Sequence, residues 1–289
     1  MIRKKRLARL GIYLGAFIVV AVVLGPYLWM VSCSFKSTLE IQSADIMDAK
    51  LSPSWLPRHP TIENYLNANK SVPMFKYMLN SVIISSGTMI VCILLSLFAA
   101  YALSRFQFSW KKPYMLTLLS TQMFPGIAFL IPYFILFTLI KRYIGLPMRD
   151  TYWGMIFTYS SFALPFAVLM LRNYLDSIPK DIDEQAMIDG CSKAQIVFRI
   201  ILPLSMPGIA SVGIYAFIMA WNEILFASVL TGQSTRTVSL GLMEYITAQQ
   251  ANWGGMMAAC ILVSIPVLIF FTFLQKQIVE GLIQGATKG

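Results

Sequence analysis

The sequence predicts an all-α integral membrane protein with six transmembrane helices, both termini on the cytoplasmic side, and a short polar helical element between helices 4 and 5. Of the 289 residues, 57% are hydrophobic and only 12% are charged, whereas soluble domains carry about 25% charged residues. Apolar runs of membrane-spanning length recur along the chain. One polar stretch, Asp181–Pro203, interrupts these runs and carries its own helix start and stop signals.

Six segments reach the roughly 20 apolar residues that cross a bilayer as a helix. Five of them contain no charged residue, and the remaining one holds Glu223 alone. In chain order they are Leu10–Val31, Tyr77–Ser104, Pro113–Ile140, Thr151–Leu171, Leu204–Leu230 and Met256–Leu274.

These segments also predict the organisation of the chain. Its parts are a basic cytoplasmic arm at 1–9, the first transmembrane helix with a long outer loop at 10–76, a five-helix core at 77–280 and a cytoplasmic tail at 281–289.

The distribution of basic residues predicts the orientation. Most of the 23 Lys and Arg fall on one side of the predicted membrane, and the densest group lies in the N-terminal arm. That group is Arg3, Lys4, Lys5, Arg6 and Arg9. Because cytoplasmic loops carry the excess of Lys and Arg, we expect the arm, the polar element and the tail to be cytoplasmic.

Several function classes are excluded by residue types. With His59 as its single histidine, the chain has neither a His-based triad nor an HExxH zinc site, and it has no GxxxxGK[ST] loop for ATP. The net charge of +10 is scattered over loops, which is typical of topology signals and lipid contact, not of nucleic-acid binding. The four cysteines are far apart and are expected to be unpaired. We therefore expect no catalytic residue, metal site or cofactor in this chain.

The polar element contains two sets of helix signals. Asp181 and Glu184 have the spacing of a capping box, which predicts a helix from Ile182, and Gly190 fits the left-handed residue that ends a helix. Anionic lipid would repel the acidic residues of this first helix, so the sequence favours a protein partner over a membrane surface.

The second set of signals predicts a helix that leads back into the membrane. Ser192 and Gln195 form another capping box, and Pro203 and Pro207 mark the bend into the fifth span. A helix, a tight turn and a second helix therefore lie between two spans.

These residues resemble those of a known family. Glu184-Gln185-Ala186, Asp189-Gly190 and Ile201-Leu202-Pro203 are similar to the EAA loop of permease subunits in binding-protein-dependent ABC importers, with Gln185 in place of an alanine. Trp221-Asn222-Glu223 is similar to the W-N-[DE] of carbohydrate permeases. The run Gln122–Pro125 and the tail Gly281–Gly289 resemble the maltose-type inner permease (MalG-like) subgroup.

The resemblance implies a multi-pass subunit of a bacterial inner membrane that pairs with a second permease subunit, often a different chain. Two ATPase subunits would bind ATP and Mg, and an external sugar-binding protein would deliver the carbohydrate. The EAA loop would be 181–207, with a coupling helix at Ile182–Asp189 and ATPase-coupling residues Asp183, Glu184, Ala186, Asp189, Gly190 and Pro203. The binding-protein contact would be Ala248, Gln249, Gln250, Ala251 and Asn252, and the tail would approach the ATPases.

A candidate translocation path follows from polar residues within the spans. A charge inside a bilayer costs about 3 kcal/mol, so Glu223 is expected to face the protein interior or a wet cavity. Tyr215, Met219 and Asn222 share a helical face by their spacing, and Gln122 lies beside a proline break. These groups either line a path or tie helices together through hydrogen bonds. The alternative of an ion-coupled secondary transporter predicts paired intramembrane carboxylates and an internal repeat, and neither is apparent.

Overall fold

The structure, a computed structural model, describes residues 2–42, 54–246 and 252–286. Its regular elements there are helical, which confirms the predicted all-α class. The α-helices are α1 (Ile2–Ser34), α2 (Thr38–Gln42), α3 (Glu63–Ser71), α4 (Met74–Arg105), α5 (Lys111–Thr121), α6 (Leu130–Ile144), α7 (Tyr152–Asp176), α8 (Asp181–Ile188), α9 (Lys193–Gln195), α10 (Leu202–Leu204), α11 (Met206–Asn222), α12 (Leu225–Leu230), α13 (Val238–Met243) and α14 (Trp253–Ala286). A 3-10 helix covers Gly126–Phe129 and a π-helix covers Ile196–Ile201.

Five of the described helical segments are long and apolar enough to cross a membrane. They are Gly11–Ser34, Met74–Arg105, Gly126–Ile144, Tyr152–Asp176 and Trp253–Gln275. A bent pair, Lys193–Leu204 and Met206–Asn222, meets at 74° and provides a sixth when it is counted as one span. The predicted multi-pass membrane class is therefore confirmed.

The third span differs from the sequence-based prediction of one continuous helix over Pro113–Ile140. Helix α5 ends at Thr121, and the membrane-length segment begins only at Gly126. Pro125 lies between them with extended dihedral angles, φ −66° and ψ 130°. Proline has no N–H to donate and disfavours helical geometry in the residue before it, which accounts for the break.

The fifth span also differs, because the predicted helix over Leu204–Leu230 is broken at both ends. The chain bends at Ser205, whose hydroxyl donates to the carbonyl of Ile201 at 2.6 Å. Near the other end, Glu223 is extended, with ψ 129°, and separates α11 from α12. The apolar pattern alone does not reveal this second break.

Contacts divide the chain into two compact units. The first comprises Met1–Phe75 and Gly241–Ile265. Within it, the Tyr27 hydroxyl lies 3.1 Å from that of Ser264, and the Tyr245 hydroxyl donates to the carbonyl of Ala68 at 2.5 Å. Burial of the Tyr245 phenol, together with the neighbouring Cys260 and Glu244, raises its pKa to about 12, so it remains a hydrogen-bond donor at neutral pH.

The second unit comprises Lys76–Leu240 and Pro266–Gly289. Its largest buried cluster joins α4, α7, α8, the π-helix and α11. Small side chains let the helices approach closely: a Cβ on Gly208 of α11 would come within 2.6 Å of the Tyr174 ring on α7. The polar element is therefore packed into the same core as three long helices.

One carboxylate organises a loop of the second unit outside the membrane-length helices. Asp150 accepts hydrogen bonds from the N–H of Gly232 at 2.8 Å, of Thr235 at 2.9 Å and of Ser234 at 3.3 Å, and from the Thr235 hydroxyl at 2.8 Å. Partial burial of the carboxyl would raise its pKa, but these four donors outweigh that effect, and the pKa of Asp150 lies below its ordinary 3.8. The ionised carboxylate therefore holds the start of the loop after α12.

We expect Asp150→Asn to lower the free energy of unfolding by about 2 kcal/mol at pH 7, because hydrogen bonds to an ionised acceptor are replaced by weaker ones. Since the folded-state pKa of Asp150 is lowered, its contribution is present above the unfolded value and is lost as the pH falls through the folded value. Thermal unfolding in detergent should thus show the gap between wild type and variant closing below about pH 4. Asp181→Asn, which changes an exposed carboxyl without side-chain hydrogen bonds of this kind, should show a clearly smaller gap.

Candidate functional site

The first helix of the polar element begins one residue earlier than its capping signals indicate. Lys180 already has helical dihedral angles, and α8 runs from Asp181 with no side-chain cap. The predicted Asp181–Glu184 capping box is therefore wrong, because a residue inside the helix cannot act as its N-cap. The acidic residues of the first turn instead lie where the helix dipole favours negative charge.

The end of α8 is as the sequence predicts. Gly190 has a left-handed φ of +84°. Its N–H donates to the carbonyl of Met187 at 3.1 Å, and the N–H of Cys191 donates to that of Ala186 at 3.0 Å. This pair of bonds is the Schellman arrangement, which satisfies the last carbonyls of the helix and turns the chain sharply.

Helix α8 has an inner and an outer face. Asp183 and Ala186 are buried, and Ala186 belongs to the core shared with α4, α7 and α11. Glu184 is exposed, while Met187 is 48% and Ile188 85% exposed. Two apolar side chains beside an exposed carboxylate form a surface that this unit leaves uncovered. Among the predicted coupling residues, Asp183 and Ala186 therefore face the chain's own core, and Glu184, Asp189 and Gly190 face outward.

A buried ion pair, which sequence reasoning missed, fixes the inner face of α8. Arg105 Nε, from the last residue of α4, lies 2.7 Å from Asp183 Oδ2, and both side chains are at most 10% exposed. Arg105 Nη1 also donates to the carbonyls of Leu175 at 3.1 Å and Ile178 at 3.2 Å. The sequence shows only an arginine at the end of one span and an aspartate far along the chain. No known spacing pattern predicts that two such distant residues form a pair.

The second helix of the element starts at its predicted cap. The Ser192 N–H donates to Gln195 Oε1 at 2.8 Å, and the Gln195 N–H donates to Ser192 Oγ at 3.4 Å, which confirms the capping box. The helix then widens into the π-helix Ile196–Ile201 before the exposed Pro203. A proline removes one donor and crowds the preceding turn, so a wider turn at this position is physically reasonable, and such turns are frequent at functional sites.

A shallow cavity of about 140 Å³ opens beside α8. Its lining is amphipathic and brings basic, acidic and aromatic side chains together: Tyr101, Arg105, Phe106, Lys180, Asp183, Glu184, Met187, Lys193 and Ile196. The Arg105–Asp183 pair forms part of its wall.

Glu223 both caps a helix and lines a cavity. Its carboxylate accepts from the N–H of Phe226 at 3.0 and 3.1 Å and from that of Ala227 at 3.2 Å, in the first turn of α12. The buried Tyr159 hydroxyl faces the same carboxylate without an aligned hydrogen bond to it.

That cavity has a volume of about 170 Å³. Of the predicted path residues, Met219 and Glu223 line it. Gln122 lies at its edge, where its amide donates to the carbonyl of Phe162, another lining residue, at 3.4 Å. Tyr215 packs instead against Phe166, with ring centroids 4.7 Å apart and ring planes inclined at 45°, and Asn222 is exposed.

The predicted binding-protein contact falls mostly on residues 248–251, which lie outside the described residues. Its last member, Asn252, caps α14: its side-chain oxygen accepts from the Gly255 N–H at 2.9 Å. The predicted tail begins inside α14, which continues to Ala286, and its last three residues also lie outside the described part.

The fold and this site together define a multi-pass membrane permease with a polar helical insert packed into its core. Residues 92–284 match the model of the family described as "Binding-protein-dependent transport system inner membrane component". The chain belongs to this family, and it is a permease subunit of an ABC importer in the inner membrane.

Comparison with individual proteins agrees with this family assignment. The chain is 36% identical to the inner membrane ABC transporter permease protein YcjP of Escherichia coli (strain K12), over 99% of each chain. It is 34% identical to the trehalose/maltose transport system permease protein MalG of Thermococcus litoralis, again over 99% of each. It is 33% identical to the diacetylchitobiose uptake system permease protein DasC of Streptomyces coelicolor, over 91% of each.

The fold is also found in solved structures. A chain of a bacterial ABC transporter involved in the import of the acidic polysaccharide alginate superposes with a TM-score of 0.73, covering 95% of this chain and 97% of that chain at 19% identity. The alginate transporter in complex with an alginate pentasaccharide-bound periplasmic protein gives 0.62, covering 93% of each chain at 16% identity. At these identities the comparison establishes the fold.

We expect Glu223→Ala to destabilise the start of α12 by about 1 kcal/mol, because the two N–H groups lose their acceptor. Glu223→Gln retains one acceptor oxygen, so it should destabilise the start of α12 less than Glu223→Ala does. Hydrogen exchange at the amides of Phe226 and Ala227 measures the effect locally, and equal exchange in wild type and Glu223→Ala would contradict the capping role.

Proposed function

We propose that this permease subunit imports a carbohydrate, either a sugar or an oligosaccharide. This chain forms one half of the translocation path, and a second permease subunit forms the other half. Two separate ATPase subunits, which bind ATP and Mg, drive the transport. The carbohydrate class is supported by the relatives named for trehalose/maltose and diacetylchitobiose, each at least 33% identical over nine-tenths or more of both chains.

The observation that carries the ATPase assignment is the division of α8 into two faces. The inner face is fixed by the buried Asp183 and Ala186. The outer face presents Glu184, Met187 and the 85% exposed Ile188. An exposed apolar residue on a short, doubly anchored helix suits insertion into a groove of a partner protein. We assign that groove to the ATPase subunit.

The proposed orientation places the N-terminal arm, α8 and the tail on the cytoplasmic side, where ATP is available. It rests on the basic N-terminal cluster. The same orientation places Asp150 and the loop that it holds outside. The outer segment that ends at Asn252, the cap of α14, would then contact the external sugar-binding protein.

The proposed path passes the cavity of about 170 Å³. Its lining combines aromatic faces, Phe162 and Phe226, with the hydroxyl of Tyr159 and the carboxylate of Glu223. Sugar recognition uses this combination of apolar faces and hydrogen-bonding groups. Met219 and Glu223 are the path residues that we place at the cavity, with Gln122 at its edge.

The proposal is tested by uptake into vesicles that contain this chain, its partner permease and the ATPase subunits. We expect carbohydrate uptake that requires ATP and the binding protein and persists when ion gradients are collapsed. Glu184→Lys, which reverses a charge on the outer face of α8, should abolish uptake while the subunit still inserts. Gradient-driven uptake by this chain alone would contradict the proposal.

The assignment of α8 as the ATPase contact can be tested with two glycines in the same backbone state. Gly145 after α6 and Gly190 after α8 have φ of +78° and +84°, and a Cβ on either meets no atom within 4 Å. We expect Gly145→Ala and Gly190→Ala to lose similar stability, about 1–2 kcal/mol, because both place a side chain in a left-handed conformation.

Only Gly190→Ala should reduce the amount of ATPase that co-purifies with the permease, because only that turn sets the position of the outer face. Gly145→Ala is thus the matched control for strain. Equal ATPase recovery with the two variants, at matched permease levels, would show that the turn at Gly190 does not position an ATPase contact.

A further inference from the structure

A network of charges and helix ends converges on Arg105. This residue is the last of α4, and its guanidinium contacts two other elements at once. Nε lies 2.7 Å from Asp183 of α8, and Nη1 donates to the carbonyls of Leu175 and Ile178 at the C-terminal end of α7. One side chain therefore links α4, α7 and α8.

The link is reinforced on the α7 side. Ser104 donates to Asp176 Oδ1 at 2.6 Å, and Asp176 Oδ2 pairs with Arg172 at 3.0 Å along α7. Adjacent residues of α4 thus both hold the end of α7. Arg105 also supplies positive charge at a helix C-terminus, where the exposed carbonyls and the helix dipole favour it.

The geometry of the ion pair leaves room for rotation. Nε and Oδ2 are close but not aligned for a hydrogen bond, and among the described residues Arg105 Nη2 and Asp183 Oδ1 have no hydrogen-bond partner. A guanidinium and a carboxylate can form two parallel hydrogen bonds. The pair therefore holds complementary unused groups, which would allow α8 to tilt while the charges remain together. Separating the charges would leave each one buried and unpaired, which is strongly unfavourable.

We propose that Arg105 is a positioning residue that transmits movement of α8 to α4 and α7. This proposal rests on the proposed function, in which an ATPase moves α8. The outer face of α8 receives the force, and the Arg105–Asp183 pair passes it to the ends of the two long helices. Arg105 contacts neither the ATPase face nor the transported solute in this assignment. Its effect is on the ratio of solute moved to ATP hydrolysed.

The test uses the complete transporter in vesicles and the double variant Arg105→Gln/Asp183→Asn. Both replacement side chains are neutral, so the double variant leaves no buried charge unpaired. We expect the ATPases to co-purify in normal amounts and to hydrolyse ATP, because the outer face of α8 is intact. Uptake per ATP hydrolysed should fall about fivefold or more. Arg105→Lys retains the charge but not the fork of donors, and should give an intermediate ratio.

Arg142→Gln is the matched control, since it removes an exposed arginine at the end of α6 and should leave the ratio unchanged. A readout that needs no ATPase accompanies the assay: amides of Asp181–Ile188 should exchange hydrogen faster in the double variant than in wild type, in the isolated permease. Wild-type uptake per ATP in the double variant would overturn the proposal, as would unchanged exchange in α8.

Failure of the proposed function gives a different result. In that case the wild-type complex itself shows no ATP-dependent uptake, whichever residue stands at position 105. Transmission by Arg105 is then also rejected, whereas the exchange measurement still reports whether Arg105 and Asp183 fix α8 to the permease.

Discussion

The requirement that governs this structure is that backbone polar groups in or near a membrane need partners within the protein. Both breaks in the fifth span are accordingly matched by a side-chain donor or acceptor nearby. At the break after α11, the carboxylate of Glu223 accepts the N–H groups that open α12. At the bend before α11, the Ser205 hydroxyl donates to the carbonyl of Ile201. At the end of α7, the guanidinium of Arg105 donates to two carbonyls. Two charged side chains of the second unit, Glu223 and Arg105, therefore satisfy backbone groups at helix ends.

This constraint connects stability with function. A charge that caps a helix end is held in place by the backbone, so it can also hold a second element at a defined distance. Arg105 does this for α8 through Asp183. Glu223 does it for the cavity, because the cap fixes its carboxylate beside Tyr159 and Phe226. In both places one group satisfies the backbone and also presents charge at a site, and replacing it affects both properties together.

The sequence predicted features that depend on local chemistry. The Schellman turn at Gly190 and the capping box at Ser192 follow from residue types within a few positions, and both are present. The membrane-spanning segments were also predicted, because the length of an apolar run can be read from neighbouring residues alone. The break at Glu223 was not predicted, since the residue falls in an apolar run and the helix ends there through hydrogen bonds made after it. The Arg105–Asp183 pair was not predicted because it joins residues distant in the chain, and the pattern of a single sequence contains no such distance.

The two faces of α8 show how one short helix is anchored on one side and left exposed on the other. A helix of eight residues has little packing area of its own, and its intrinsic stability in water is marginal at this length. Burial of Ala186 in the core and of Asp183 against Arg105 supplies that stability from one side. Because the anchoring is complete without Glu184 or Ile188, those residues remain available to a partner. A force applied to the outer face is then borne by the inner contacts, and of these the ion pair is the one that reaches two long helices at their ends.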